Sequence, residues 1–225
     1  MRWNTGLSGL GLVLLLLAST SPASAQLGIR GGVNLTDLVG GGVEQSENRT
    51  GLSFGAGYDL LTVGPVSVGP EIFYAQRGAD AFVLSPTGEA PSFEGPAEVA
   101  LEYIEIPITA RVRLPTMGRL VPYLMGGPVF GWNLECSVTV DAGAGGAQPS
   151  CDDLLSREGF ESKVREYEQG FFLGGGVGLS FLEGIGNLTL EARFIEGLSR
   201  LGEGDEGPEV KNRAFSLMLG YAFGF

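Results

Sequence analysis

Between Asn212 and Phe225 the chain reads NRAFSLMLGYAFGF, and its side chains alternate in size. Phe215, Leu217, Leu219, Tyr221, Phe223 and Phe225 fall on one face, and Ala214, Ser216, Met218, Gly220, Ala222 and Gly224 on the other. A period of two predicts a β-strand, because successive side chains on a pleated backbone point to opposite faces. One face is large and apolar, the other small. A strand with lipid on one side and a crowded lumen on the other needs this contrast.

The same pattern recurs upstream. A first strand is expected over 26–38, with Leu27, Ile29, Val33 and Leu35 outward and Arg30, Gly32, Asn34 and Thr36 inward. A second, 50–63, sets Leu52, Phe54, Ala56, Tyr58 and Leu60 against Ser53, Gly55, Gly57 and Asp59. After a Gly64-Pro65 turn, a third, 66–77, opposes Val68, Ile72 and Tyr74 to Glu71, Phe73, Ala75 and Arg77. The fourth, 99–114, puts Ile104, Ile106, Ile108, Ala110, Val112 and Leu114 opposite Glu105, Thr109, Arg111 and Arg113. Pro107 interrupts it, and a residue that donates no ladder bond predicts a bulge or local break.

The fifth strand, 121–134, has apolar residues on both parities, so its facing is open. The sixth, 170–182, shows Phe171, Leu173, Val177, Leu179 and Phe181 against mostly glycine. The seventh, 188–198, sets Leu188, Leu190, Ala192 and Phe194 against Thr189, Glu191, Arg193 and Ile195, and 212–225 is the eighth.

The expected connections alternate in length. Loops over 39–50, 78–98, 135–168 and 200–211 are long, and turns at 64–65, 115–120 and 183–187 are short; residues 152–168 carry a possible helix. An even strand number with short periplasmic turns and long external loops is the arrangement of an eight-stranded antiparallel transmembrane β-barrel. A soluble eight-stranded barrel of lipocalin type has an apolar cavity and a polar exterior, the reverse of the fourth, seventh and eighth strands. Glycine, 38 of 225 residues against a usual share of about 7%, sits inside the alternating segments rather than in linkers.

The N-terminus fits export. Arg2, an apolar run from Leu7 to Ala18 and Ala23-Ser24-Ala25 form a secretory signal with an A-x-A cleavage site, so 1–25 is expected to be removed and 26–225 to form one barrel domain. Residue 26 is Gln rather than Cys, which argues against a lipid anchor. No later stretch reaches the eighteen or so apolar residues of a membrane helix. Formal charge is −12, which makes nucleic acid a poor partner. The implied location is the outer membrane of a Gram-negative-type envelope. The implied partners are outer-membrane lipid and, through the external loops, other envelope proteins.

GIRGGVNLTDL (28–38), PEIFYAQRGA (70–79), YIEIPITARVRL (103–114), PYLMGGP (122–128), LEARFIEGL (190–198) and LGYAF (219–223) together resemble the small outer-membrane β-barrel (porin) family that includes PorT-like proteins. The resemblance spans nearly all of the mature chain. It implies an eight-stranded outer-membrane barrel and no enzyme; the long cysteine-containing loop is not part of the family pattern.

The chemistry expected inside is ionic. Arg30, Arg77, Arg111, Arg113 and Arg193 face the lumen with Asp59, Glu71, Glu105 and Glu191. Unpaired charges in a narrow interior of low dielectric are costly, so this set predicts an ion-pair network that fills the lumen. A narrow proton or ion path through it is the alternative. Cys136 and Cys151 lie in one external loop of an exported chain and predict a disulfide. The chain has no histidine, which removes the usual base of Ser and Cys nucleophiles, and Glu102 and Glu105 fall on opposite faces of their strand.

Loop carboxylates such as Glu203, Asp205 and Glu206, or Asp152 and Asp153, lack the ligand spacing of an EF-hand. No catalytic, cofactor or metal residue is therefore assigned. The function expected is a structural or interaction role through acidic external loops, with small-solute or ion transport, or service in a secretion or gliding apparatus, as alternatives.

Overall fold

The computed structural model describes residues 27–40, 43–84, 97–116, 118–140, 151, 165–182, 186–200 and 210–223. Within them run β1 (Leu27–Gly40), β2 (Val43–Tyr58), β3 (Leu61–Val63), β4 (Val66–Leu84), β5 (Ala97–Arg113), β6 (Leu120–Val140), β7 (Tyr167–Leu182), β8 (Gly186–Gly197) and β9 (Val210–Phe223). Each is antiparallel to its neighbours. β9 pairs back onto β1, and β2 pairs β4, so the sheet closes on itself. The short β3 continues the line of β2 and shares its partner, β4. The wall is thus an eight-stranded barrel, and closure leaves no sheet edge along the paired wall.

Its outer surface is what the alternation predicts. Large apolar residues are exposed on every strand, among them Leu60, Leu173 and Leu219 at 69%, 62% and 68% exposure. The outward apolar rows run from Leu27 to Leu35, Leu52 to Leu60, Val66 to Tyr74, Ile104 to Leu114 and Phe215 to Phe223. Nine to eleven residues is the length a tilted strand needs to cross a bilayer. Just beyond these rows, toward the long connections, the next outward residues are Asp37, Thr50, Gln76, Glu102 and Arg213. That ring of polar residues marks the upper border of the lipid belt. Aromatic pairs stand near both borders, Trp132 with Tyr167 at 5.4 Å above and Tyr221 with Phe223 at 4.9 Å below. Among the described residues no helix is long and apolar enough to cross a membrane.

Several expectations change. The first long connection is not a loop over 39–50. β1 runs to Gly40 and β2 starts at Val43, so polar residues such as Glu47 and Asn48 belong to strand. β4, β5 and β6 likewise continue well above the lipid belt, to Leu84, from Ala97 and to Val140, which shortens the expected loops over 78–98 and 135–168. Polar composition suggested loop there, but ladder hydrogen bonds to a neighbour hold a strand regardless of what its side chains face. The C-terminal part of the helix expected over 152–168 is not helical: Arg165 and Glu166 are irregular and Tyr167 and Glu168 open β7, while 152–164 lie outside the described residues.

Of the bulge or local break expected at Pro107, the structure has the break. Pro107 pairs with Val129, and the β5–β6 register is constant from Tyr103 to Arg113, although pairs at Ile108 and Thr109 are absent. Pro70 stands opposite Ile108, and pairs joining Glu71 and Ile72 to Pro107 and Ile106 are absent from the β4–β5 ladder. Two imino nitrogens at nearly one height leave a gap in that ladder, and no extra residue is needed to absorb it. The actual shift lies between Glu102 and Tyr103.

A second irregularity lies between β2 and β4. Their ladder shifts between Asn48 and Ser53. Two side chains of β1 reach in from the lumen to the β4 carbonyls left there: Asn34 Nδ2 donates to Gln76 O (3.3 Å), and Thr36 Oγ1 to Gly78 O (2.8 Å). On the outside Leu52 N donates to Gln76 Oε1 (3.1 Å). Substituting Thr36→Val keeps the shape and leaves the Gly78 carbonyl without its side-chain donor. It is expected to lower stability by about 1 kcal/mol in urea unfolding of the refolded barrel. Thr50→Val, at an exposed position, is expected to change it little.

Candidate functional site

The inward positions of the strands point into a closed ring about one side chain wide, so they meet residues far away in sequence. At the end nearest the short turns they form one ionic cluster. The Arg193 guanidinium is its centre, with Nη1 2.6 Å from Glu71 and Nη2 2.6 Å from Glu191. Arg30 bridges the same two carboxylates from β1, Nε to Glu191 at 2.9 Å and Nη1 to Glu71 at 3.1 Å. Arg111 joins Asp59 at 2.9 Å and Glu71 at 3.4 Å, and the partly exposed Arg113 reaches Asp59 at 3.3 Å. Tyr123 Oη donates to Glu191 at 2.8 Å.

Small residues make this packing possible. A Cβ on Gly57 would lie 2.7 Å from Glu71 Cγ and 2.9 Å from Arg30 Nη1, and one on Gly176 would meet the Tyr123 ring at 2.7 Å. The glycines inside alternating segments therefore clear space for long charged and aromatic side chains from facing strands.

Above this cluster the lumen turns apolar. Arg193 lies 5.1 Å from the Phe73 ring centre and 5.2 Å from that of Phe172, and both rings are buried. A guanidinium over an aromatic face is attracted by the ring quadrupole, so the rings hold the ion as well as fill space. Tyr123, Met125, Val129 and Phe172 pack together here, which settles the facing of β6: its odd-numbered residues from 123 to 131 point inward. Asn34 and Ser216 close the β1 side with a 2.6 Å hydrogen bond.

A third layer lies toward the long connections. Arg77 Nε bonds Glu105 at 2.5 Å. Next to that pair, Asn212 Nδ2 donates to Glu168 Oε2 (2.8 Å) and to Tyr103 Oη (3.1 Å). Leu38, Ala79, Leu101, Tyr103 and Val210 cap the layer, with Val99 and Cys136 packed against them. Cys136 forms a disulfide with the buried Cys151 across 5.4 Å between Cα atoms, so the cross-link sits on this cap.

The nine expected lumen residues thus fall into two groups. Arg30, Asp59, Glu71, Arg111, Arg113, Glu191 and Arg193 meet at the turn end, and Arg77 and Glu105 form a separate pair nearer the loop end. Glu168 was expected in a solvated loop. It is a lumen residue, and with it the interior carries five arginines and five carboxylates. Extending the β7 alternation two residues back from Gly170 would have placed it there. Tyr103, Tyr123, Phe73, Phe172 and Asn212 also belong to the site, on inward parities that carried no charge to draw notice.

The space left over is small. Two cavities of about 10 and 20 Å³ flank the Arg77–Glu105 pair, each the size of a single water molecule. Among the described residues no group of three or more Cys, His, Asp or Glu is placed to hold a metal ion. Asp152, Asp153, Glu203, Asp205 and Glu206 lie outside the described residues. Glu102 faces outward while Glu105 is buried inside, so the two do not form an acid–base pair.

A family model described as "Outer membrane protein beta-barrel domain" matches residues 10–223. Among solved structures, the fold is similar to that of a major outer membrane protein from Thermus thermophilus, with 11% identity over 89% of this chain and 99% of that one and a TM-score of 0.52. It is similar to the outer membrane protein OprG from Pseudomonas aeruginosa, with 12% identity over 90% and 96% of the two chains and a TM-score of 0.50. Neisserial surface protein A matches at 16% identity over 88% and 97%, with a TM-score of 0.48. At such identities the first two show a shared fold and nothing finer. No curated protein matches the chain.

Arg193 gives Glu71 and Glu191 their shortest ion pairs, and without it both are left to Arg30, with Arg111 also near Glu71. Arg193→Met is therefore expected to cost up to about 3 kcal/mol, the lower end of what a broken buried pair costs, and Arg113→Met, whose partner Asp59 keeps Arg111, about 1 kcal/mol or less. Urea unfolding followed by fluorescence of Trp132 measures both. Equal losses from the two substitutions would contradict this assignment.

Proposed function

Since the chain belongs to the outer membrane protein beta-barrel domain family, we propose that it is an outer-membrane barrel whose lumen is closed by its own side chains and which works through its external connections. The observation that carries this reading is the ionic cluster around Arg193, packed between Phe73 and Phe172. A solute passing the lumen has to displace paired ions and two aromatic rings at the same height. Transport is therefore the weaker reading.

What remains accessible is the loop end. The connections 85–96, 141–164 and 201–209 carry eleven Asp and Glu against Arg157 and Lys163. Such a surface attracts partners with basic patches and repels acidic ones, with an on-rate that falls as salt rises. Other envelope proteins are the partner class proposed, and the PorT-like resemblance is compatible with a place in a secretion or gliding apparatus. We assign no enzymatic role: the chain has no histidine, and the buried carboxylates of the turn end are all held in ion pairs.

Planar-bilayer conductance of the refolded mature chain tests this function, with heat-modifiable gel mobility as the control for folding. A folded barrel with conductance indistinguishable from empty bilayer is the expected result. Steady, salt-dependent channels would overturn it in favour of transport. The export reading has its own check: mass spectrometry of the membrane-inserted protein is expected to find Gln26 as the first residue, and an N-terminus upstream of it would contradict cleavage after Ala25.

A further inference from the structure

The larger cavity, about 20 Å³, is bounded by Arg77, Tyr103, Glu105, Glu168 and Asn212, with Gly131, Gly170 and Gly197 on three successive strands. The glycines are what make the room. A Cβ on Gly197 would lie 2.4 Å from Glu168 Oε1, and one on Gly170 would lie 2.7 Å from the Glu196 carbonyl. Two polar atoms of the lining have no partner within the protein. One is a donor, Arg77 Nη1, and the other an acceptor, Asn212 Oδ1. Both residues are 3% exposed. Leaving either atom unsatisfied costs a full desolvation penalty, and an unpartnered donor and acceptor on residues that line one space of this size are the complement of one small hydrogen-bonding molecule.

We propose that this cavity is a binding site for one ordered water molecule, which accepts from Arg77 Nη1 and donates to Asn212 Oδ1. The water joins two groups that are otherwise separate: the Arg77–Glu105 pair of β4 and β5, and the Asn212–Glu168–Tyr103 set of β9, β7 and β5. Its place in the fold is a cross-brace. It ties facing walls of the barrel just below the apolar cap, where the strands leave the lipid belt. A monatomic cation fits the volume and the two carboxylates, but it satisfies no N–H donor and faces the Arg77 guanidinium. An anion faces Glu105 and Glu168. Water alone satisfies both atoms. The site stands or falls independently of whether ions cross the lumen.

Water–protein cross-relaxation by NMR on the refolded chain in detergent micelles tests the site. A long-lived water is expected to give cross-peaks to the Asn212 side-chain amide and the Arg77 guanidinium, unlike the surface Arg213 as a fast-exchange control. Gly131→Ala is the matched variant. Its Cβ has contacts of 3.4 Å or more, so the backbone accommodates it, and the methyl fills the cavity. Loss of both cross-peaks in G131A, with unchanged gel mobility, supports the site. Absence of those cross-peaks in the unsubstituted protein would overturn it, whatever the variant does. Amide shifts at residues 103, 168 and 212 that change when Na⁺ is exchanged for K⁺ would overturn it in favour of a cation.

Discussion

A charge inside an eight-stranded barrel finds little water, so it needs an opposite charge across the lumen. The interior of this barrel follows from that requirement. Arg193 contacts carboxylates from β4 and β8, and Arg30 from β1 contacts the same two. The pairs that result link positions up to 161 residues apart and tie walls that share no ladder. Because long side chains need room, the strands facing them carry glycine. Because a buried guanidinium keeps free faces, aromatic rings from β4 and β7 cover them. Inward glycine, lumen aromatics and the charge balance of the interior are consequences of one constraint.

The same constraint separates the two surfaces that meet the environment. The outward face is uniformly apolar over a bilayer's height and stops at a ring of polar residues. Among the described residues the wall rises furthest above that ring where β2, β4, β5 and β6 run on, while β8 ends at Gly197. The disulfide ties the connection that follows β6 back onto the apolar cap. In the chain-entropy view, closing such a loop restricts the unfolded chain by about 3 kcal/mol.

Much of the candidate site was legible as parity. Arg30, Glu71, Glu105, Glu191 and Arg193 each stand at an inward step of a regular alternation, and a charge there needs explanation. Glu168 was missed because a polar, acidic neighbourhood looked like loop, although the β7 alternation extends back through it. Tyr123 was missed for a different reason: on β6 both parities are apolar, and only cross-lumen packing tells which face is inside. Phe172 stands on the inward parity of β7 among glycines, with no charge to draw notice. The local break at Pro107 was legible from its own missing donor, whereas Pro70, which shares the gap, is distant in sequence and close only in the sheet.

By itself the sequence determined the class of structure and which side most strand residues face. These are local properties: a period of two fixes which side a residue faces, and the transfer energy of its side chain decides whether that side is lipid. The tertiary structure decided which charge meets which. Partner choice depends on the stagger between neighbouring strands and on closure of β9 onto β1, and no short stretch of chain contains that information. It is why nine residues expected as one network became a seven-membered cluster and a separate pair, and why Glu168 came to lie beside that pair. It is also why the donor and acceptor left over fell on either side of one small cavity.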